Sequence, residues 1–382
     1  MKDIQAVEEF AIDLSDMCTH TPLMAERPLV WTIIANPMAG GFTIAKRWKQ
    51  HRTILREYAD RARTTIQRPA PAMPSRTAFE ADRGTGRLGA LGLIPTLRPN
   101  HAGDLVRSLI DEALANQPEN KTEAAPFYLI ITAGGDGTSL EALTALYHLP
   151  PQLRNSFAIL RLPMGTGNDG ADARDLDKAL DLLVHPSRLV FTPAVELRTA
   201  GKNKQKGPFL AFNILSIGLD AFVTHMTNKM KGQLPGDSYK LWVDIATLFY
   251  DRIYRVEPMG IEAYDAQGNL IAAFEKELLL LAFGISGRRT YGAGVPILPD
   301  DRNVCGVEEM PLLKKLKLKK LFTSGQHADR SEAHMLSAAK VLIRYSEPIL
   351  AQMDGEPVLL DREDFPITLS LTEPRIPTLR LA

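Results

Sequence analysis

The run Gly134-Gly135-Asp136-Gly137-Thr138 is the densest cluster of chemistry-bearing residues in the chain. Glycines permit positive φ and let an anion approach the main chain closely. Where a helix follows such a run, its first N–H groups and its dipole favour a bound phosphate. Asp136 is then out of place, because a carboxylate repels phosphate. It fits if a divalent cation stands between the two. Thr138 can cap the helix or bond a phosphate oxygen. A second run, Gly165-Thr166-Gly167-Asn168-Asp169, repeats the pattern of glycine, hydroxyl and acid, and Asn36-Pro37-Met38-Ala39-Gly40-Gly41 adds a third glycine turn. None has the Gly-x-x-x-x-Gly-Lys-Ser/Thr form, so no lysine of that kind meets the phosphates. Two or three glycines alone mark a plain strand-to-helix turn more often than a site. Three such loops in one chain point to a single nucleotide crevice.

Each run follows a short apolar, β-branched segment: 30–35, 127–133 and 157–162 read as buried strands. Helical patterns come between and after them. One has Ile44, Trp48, His51 and Leu55 on one face, and others cover 104–115, 139–146 and 173–184. Alternating strand and helix predict a parallel α/β sheet, with ligands at the C-terminal ends of its strands. Residues 62–95, rich in Arg, Pro, Ala and Gly, read as a long loop or insertion. After about residue 190 the pattern changes. Segments 189–197, 209–217, 261–263, 277–285, 339–344 and 348–353 read as strands, and only 239–250 and 311–322 as helices. This half is expected to be a β-rich sandwich domain. The strand at 367–371 could serve either half. The expected division is a polar N-terminal extension (1–28), a nucleotide-binding α/β domain (29–188), a β-rich substrate domain (189–360) and a C-terminal segment (361–382) that can return to the first.

Composition sets the outer limits. In 382 residues, 45% are hydrophobic and 24% charged, enough for a real core in each half. Basic and acidic residues balance at 45 each, so nothing global points to nucleic acid. Cys18 and Cys305 are too few for a disulfide framework and too isolated for zinc, which suits a reducing cytosol. The N-terminus lacks the basic start and apolar stretch of a secretory signal. The apolar run at 278–283 has strand length, far short of the ~20 residues of a spanning helix. Segment 312–322 mixes leucines with lysines. As a helix it either lies on an anionic membrane or solvates the outer face of the second domain.

Further motifs fall in order behind the loops: Phe212-Asn213 with Ile217-Gly218-Leu219-Asp220-Ala221, then Gly325-Gln326-His327, then Asp354-Gly355-Glu356. With the three loops, this set resembles the diacylglycerol kinase catalytic family, bacterial lipid kinases related to sphingosine kinases. The resemblance spans about residues 29–372. It implies an NAD kinase/diacylglycerol kinase-like first domain, a kinase with ATP and Mg²⁺ in its cleft, and a lipid hydroxyl as acceptor. By position it makes Asp354 the general base, with Glu356 and Asp136 beside it in catalysis. Asp136, Asp169 and Glu356 become the metal network. Asn36, Pro37, Gly40, Gly134, Gly135, Gly137, Thr138, Gly165, Thr166, Gly167 and Asn168 become the nucleotide cradle. His101, within 96–102, is either a nucleotide neighbour or a structural histidine. Phosphoryl transfer independently requires positioning, a metal, and one carboxylate near the acceptor. A lone Asp-Gly is more often a β-turn, so the catalytic reading of Asp354 depends on its companions.

The chain also departs from the family. Glu196 stands where relatives usually carry Asp, and Gly170 where a hydrophobic residue is common. Asp300 and Asp301 occupy an acidic loop that can bind a structural metal in relatives. The resemblance further implies a cytoplasmic protein of phospholipid metabolism that meets lipid at the inner membrane surface, with homodimerisation open. Two rivals remain: an NAD kinase-like enzyme, which shares the Gly-Gly-Asp-Gly loop, and a nucleotide-binding regulatory protein without catalysis. The pairing of Gly-Thr-Gly-Asn-Asp with Asp-Gly-Glu speaks against the first, and the retained Asp136 and Asp354 against the second.

Overall fold

A computed structural model describes the chain apart from residues 1, 24–26, 66–71, 76–85, 117–123, 166, 201–206, 232–249 and 293. It divides into two compact units: 1–192 with 374–382, and 193–373.

The first unit is built on the apolar segments that flank the loops. Its strands are β1 (Leu29–Ala35), β2 (Ala72–Pro74), β3 (Leu93–Pro95), β4 (Phe127–Gly134), β5 (Phe157–Pro163) and β6 (Ser187–Thr192). β1 pairs in parallel with β4, from Leu29↔Phe127 to Ala35↔Ala133, and β4 with β5, from Tyr128↔Phe157 to Gly134↔Pro163. This register brings all three glycine loops out at the same edge of the sheet. β4 and β5 are buried along their whole length, so their sequences run continuously apolar instead of alternating. The helices are α1 (Lys2–His20), α2 (Gly40–Thr43), α3 (Ala45–Thr65), α4 (Gly86–Ala90), α5 (His101–Ala115), α6 (Asp136–Tyr147) and α7 (Leu176–Val184). The stretch expected as a long loop therefore carries the end of α3 together with β2, α4 and β3.

Residues 1–28 do not form a polar extension. Phe10, Leu14, Met17 and Cys18 of α1 are fully buried in one core with Leu55, Ala59 and Ala62 of α3. The apolar positions recur at helical spacing and form a buried stripe. The intervening acids disguise that stripe in the sequence, and two of them pair with α3: Glu9 with Arg52 at 2.8 Å, and Asp16 with Arg63.

The second unit contains β7 (Val195–Thr199), β8 (Phe209–Ala211), β9 (Ile214–Gly218), β10 (Pro258–Tyr264), β11 (Leu270–Gly284), β12 (Arg289–Tyr291), β13 (Val295–Leu298), β14 (Val304–Glu308), β15 (Ala333–Leu336), β16 (Lys340–Arg344), β17 (Ile349–Met353), β18 (Glu356–Leu360) and β19 (Ile367–Leu371). Its main sheet runs β18-β17-β9-β11-β10-β16-β19-β7-β8, with β14 and β15 branching from β11. The first half of β11 pairs with β10 and the buried second half with β9 and β14, so one strand serves both parts of the sheet. The helices are α8 (Leu219–Lys231), α9 (Tyr250–Ile253) and α10 (Leu312–Ser324).

Several expected strands are divided. Segment 189–197 breaks at Pro193-Ala194, giving β6 to the first unit and β7 to the second. Segment 209–217 breaks at Phe212-Asn213 between β8 and β9. Residues 367–371 form β19, paired with β16 and β7 of the second unit. The strand that rejoins the first sheet is the later Ile376–Leu381, between β5 and β6. Of the helix expected over 239–250, all but Tyr250 lies outside the described residues. Helix α8 was not legible in advance, because its polar, threonine- and asparagine-containing sequence lacks a clean apolar stripe.

Phe10→Ala tests whether α1 belongs to the core. The cavity should cost about 3–5 kcal/mol in urea unfolding. A loss under about 1 kcal/mol would show that the helix merely lies against the unit.

Candidate active site

In the first unit, β4 ends at Gly134 and α6 begins at Asp136, with Gly135 extended as the N-cap and no side-chain cap bond. The first turn of α6 therefore presents main-chain N–H groups at the loop, a setting suited to phosphate. Glycine is required here by contact. A Cβ on Gly134 would lie 2.5 Å from Thr138 Oγ1, and one on Gly165 would lie 2.5 Å from the Gly135 Cα. The third loop joins them, since the Gly41 N–H donates to the Met164 carbonyl at 2.8 Å. The three loops predicted from sequence thus touch one another.

Two of the expected nucleotide residues shape their own loops. Asn36 Oδ1 accepts the Met38 N–H at 3.0 Å. Asn168, at φ +60°, accepts the Gly165 N–H at 2.7 Å and donates to the Pro163 carbonyl at 3.2 Å. Thr166 lies outside the described residues. His101 is buried and its Nδ1 accepts the Leu97 N–H at 3.0 Å, which matches the structural alternative. Glu141 was not foreseen. Its carboxylate accepts the N–H groups of Asn100 and Ala102 at 2.8 and 3.1 Å and so caps α5. Asp172 was also missed. It is buried against Arg161 at 2.8 Å and pins the chain just after the second loop. Neither has a local signature, because the partner lies far away in sequence.

Asp136 Oδ1 accepts the Gly170 N–H at 2.9 Å. A Cβ on Gly167 would lie 2.8 Å from Asp136 Oδ2 and 3.7 Å from Asp169 Oδ2, so the two carboxylates flank the same point. Burial raises the Asp136 pKa above its ordinary value. The main-chain N–H groups of Gly170, Asp169 and Asn168 oppose that rise, and the charge of Asp169 adds to it. A divalent cation at this point would relieve both burial and repulsion. Among the described residues no group of three or more His, Cys, Asp or Glu side chains gathers as a ready metal set. The pair nevertheless suits Mg²⁺, which typically takes one or two carboxylates plus phosphate oxygens and water.

Three other candidate metal ligands sit in arginine pairs instead. Glu196 receives Arg198 Nε and Nη2 at 2.6 and 3.0 Å. Asp300 is held by Arg302, and Asp301 by Arg288 at 2.7 Å, and those arginines lower both carboxyl pKa values.

In the second unit, Asp354 and Gly355 close the β17–β18 hairpin, where Met353 pairs with Glu356. Both turn residues have positive φ, +49° and +103°. Asp-Gly is the favoured pair for such a turn. Asp354 is therefore the β-turn residue its local sequence suggested, but its carboxylate does more. It accepts the N–H groups of three consecutive residues: Phe212, Asn213 at 3.0 Å and Ile214 at 2.9 Å. The break between β8 and β9 is what frees those donors from sheet pairing. Glu356 is exposed at the start of β18. His327 is fully buried, donates from Nε2 to the Ile297 carbonyl at 3.0 Å and stacks on Phe322. Burial lowers its pKa, so it is neutral and structural near neutral pH.

The profile of the diacylglycerol kinase catalytic domain matches residues 30–189, the region that carries all three loops. Residues 30–189 belong to that domain family. A curated relative from Yersinia enterocolitica, named "probable lipid kinase YegS-like", is 26% identical over 290 residues, covering 75% of this chain and 91% of its own. One of the same name from Xanthomonas oryzae is 26% identical over 273 residues, covering 69% and 84%. A solved structure from Bacillus anthracis, described as a diacylglycerol kinase, superposes with a TM-score of 0.53 at 17% identity, covering 92% of this chain and 97% of its own. It shares the fold: an α/β unit with a parallel sheet and a β-rich unit.

The raised pKa of Asp136 makes its ionisation costly, so stability is lost as pH rises through that value. Asp136→Asn should raise the melting temperature at neutral pH, with the gain vanishing below about pH 4, where the native acid is protonated folded and unfolded alike. Mg²⁺ should raise the melting temperature of the native protein and not that of the variant. Equal Mg²⁺ responses in a thermal-shift titration would remove Asp136 from the metal site.

Proposed function

We propose that this protein transfers the γ-phosphoryl group of ATP, with Mg²⁺, to a hydroxyl of a lipid such as diacylglycerol or a similar lipid alcohol. The observation that carries the reading is the meeting of Asp136 and Asp169 where two glycine loops touch at the start of α6. That arrangement offers main-chain N–H groups to phosphate and paired carboxylates to its metal. Asp136 and Asp169 would hold Mg²⁺, which neutralises phosphate charge when bound. The loop glycines let the nucleotide phosphates approach the main chain.

In the second unit, Asp354 takes the proton of the acceptor hydroxyl as its oxygen bonds to the γ-phosphorus and the β–γ bridge bond breaks, leaving ADP. Three N–H bonds fix the direction of that carboxylate, the kind of preorganisation catalysis requires. The lipid acceptor is supported by the names of the relatives and not by a pocket. Among the described residues no helix is long and apolar enough to cross a membrane. We place the working site at the cytoplasmic membrane surface, reached from one side. In α10, Lys314 and Lys315 are paired with Glu332 and Glu309, at 3.4 and 2.5 Å, which favours a helix packed on its own unit.

The test is incubation with labelled ATP, Mg²⁺, a panel of lipid alcohols and NAD. Label is expected in a lipid phosphate. Label only in NADP would establish the NAD kinase-like alternative, and transfer to nothing the regulatory one. Asp354→Asn should lower the rate by roughly 10²–10⁴-fold, the usual contribution of a general base, while ATP affinity stays within about twofold. A near-normal rate would show that the base lies elsewhere.

A further inference from the structure

The turn that carries Asp354 is held from beneath by side chains that none of the recognised motifs explains. Gln352 lies two residues earlier on β17 and is fully buried. Its Oε1 accepts the Gly355 N–H at 2.8 Å, and its Nε2 donates to Ser216 Oγ at 2.8 Å and to Asp220 Oδ2 at 3.3 Å. Ser216 is the cross-strand partner of Gln352 on β9, and its hydroxyl donates to Asp220 Oδ2. The other end of the Gly355 residue is held as well, since Asn228 Nδ2 donates to its carbonyl at 3.1 Å. Asp220 and Asn228 both belong to α8.

Burying a glutamine beside a carboxylate is costly unless its donors and acceptor are satisfied together. Here each finds a partner, and the chain of bonds ends on the peptide next to Asp354. An apolar residue at 352 would pack in the strand equally well, so core formation does not explain the amide. Gly355 at φ +103° and Asp354 at +49° leave the turn dependent on such outside support.

We infer that Gln352, backed by Ser216 and Asp220, is a positioning residue that sets the direction of the Asp354 carboxylate during transfer. The inference rests on the proposed function. Gln352 touches neither nucleotide nor acceptor and acts only through the Gly355 peptide. The acid of α8 thereby gains a task distinct from metal binding: it orients the glutamine that orients the turn.

Two variants test this in the full-length protein, with labelled ATP, Mg²⁺ and the best lipid acceptor of the panel. Gln352→Leu removes the amide and keeps the bulk. Its kcat should fall roughly 10- to 100-fold, the scale of a misplaced catalytic group, with KM for ATP unchanged. Hydrogen exchange at the Gly355 amide should accelerate in the same variant. Gln352→Glu keeps the acceptor and, when protonated, the donor. Its activity should recover toward acid pH and fall as the introduced acid ionises against Asp220, a limb absent from the native pH profile. A kcat within about twofold of native for Gln352→Leu, or an unchanged Gly355 exchange rate, would overturn the inference. Native protein that transfers no label to any lipid would instead sink the function reading. The Gly355 exchange result separates the two failures, because it reports on the turn without turnover.

Discussion

Main-chain N–H groups hold the two carboxylates on which the proposed chemistry depends. Asp354 is gripped by three consecutive N–H groups at the β8–β9 break, and Asp136 is bonded by the N–H of Gly170 in the second glycine loop. Backbone donors suit this task because they carry no net charge to cancel the acid and no rotamer freedom to lose. They come at a structural cost, because an N–H that bonds a side chain is withdrawn from the sheet or helix. The donors can therefore appear only where regular structure stops. The interruptions in this fold, at Phe212-Asn213 and in the stretch after β5, are where the chain equips its acids.

Direction of pKa shift separates the acids that could serve chemistry from those that stabilise loops. Asp300 and Asp301 are shifted down by Arg302 and Arg288, while Asp136 is shifted up by burial and by the charge of Asp169. Two mutually repelling carboxylates in a part-buried loop are poorly explained by stability alone. They are well explained by a cation that the sequence of loops is shaped to receive. Arg161 and Asp172 solve the opposite problem, a buried charge pair that fixes the segment following Asp169 and that would be strongly destabilising if halved.

Register does the positioning. Because β1, β4 and β5 pair without offset, their loops emerge together and the glycines come within contact distance. In the second unit the antiparallel pairing of β17 with β9 sets Gln352 opposite Ser216, and α8, following directly from β9, brings Asp220 and Asn228 to the same hairpin. The geometry of each site is thus a consequence of strand pairing more than of any local motif.

The sequence by itself determined the α/β character of the first unit, the β-rich character of the second, the three glycine loops and the family they mark. These are local signals: apolar runs bounded by glycine, and short motifs whose order survives in one dimension. It misjudged α1, whose buried stripe was hidden between acids, and it ran β6 into β7 and β8 into β9, because a proline or an asparagine inside an apolar run does not say which sheet will claim each side. Only the tertiary structure decided which acids stand beside arginines, which N–H groups reach Asp354, and that Gln352 and Ser216 belong to the site at all. Those facts depend on residues more than a hundred positions apart being brought within hydrogen-bond distance, and no spacing along the chain encodes that distance.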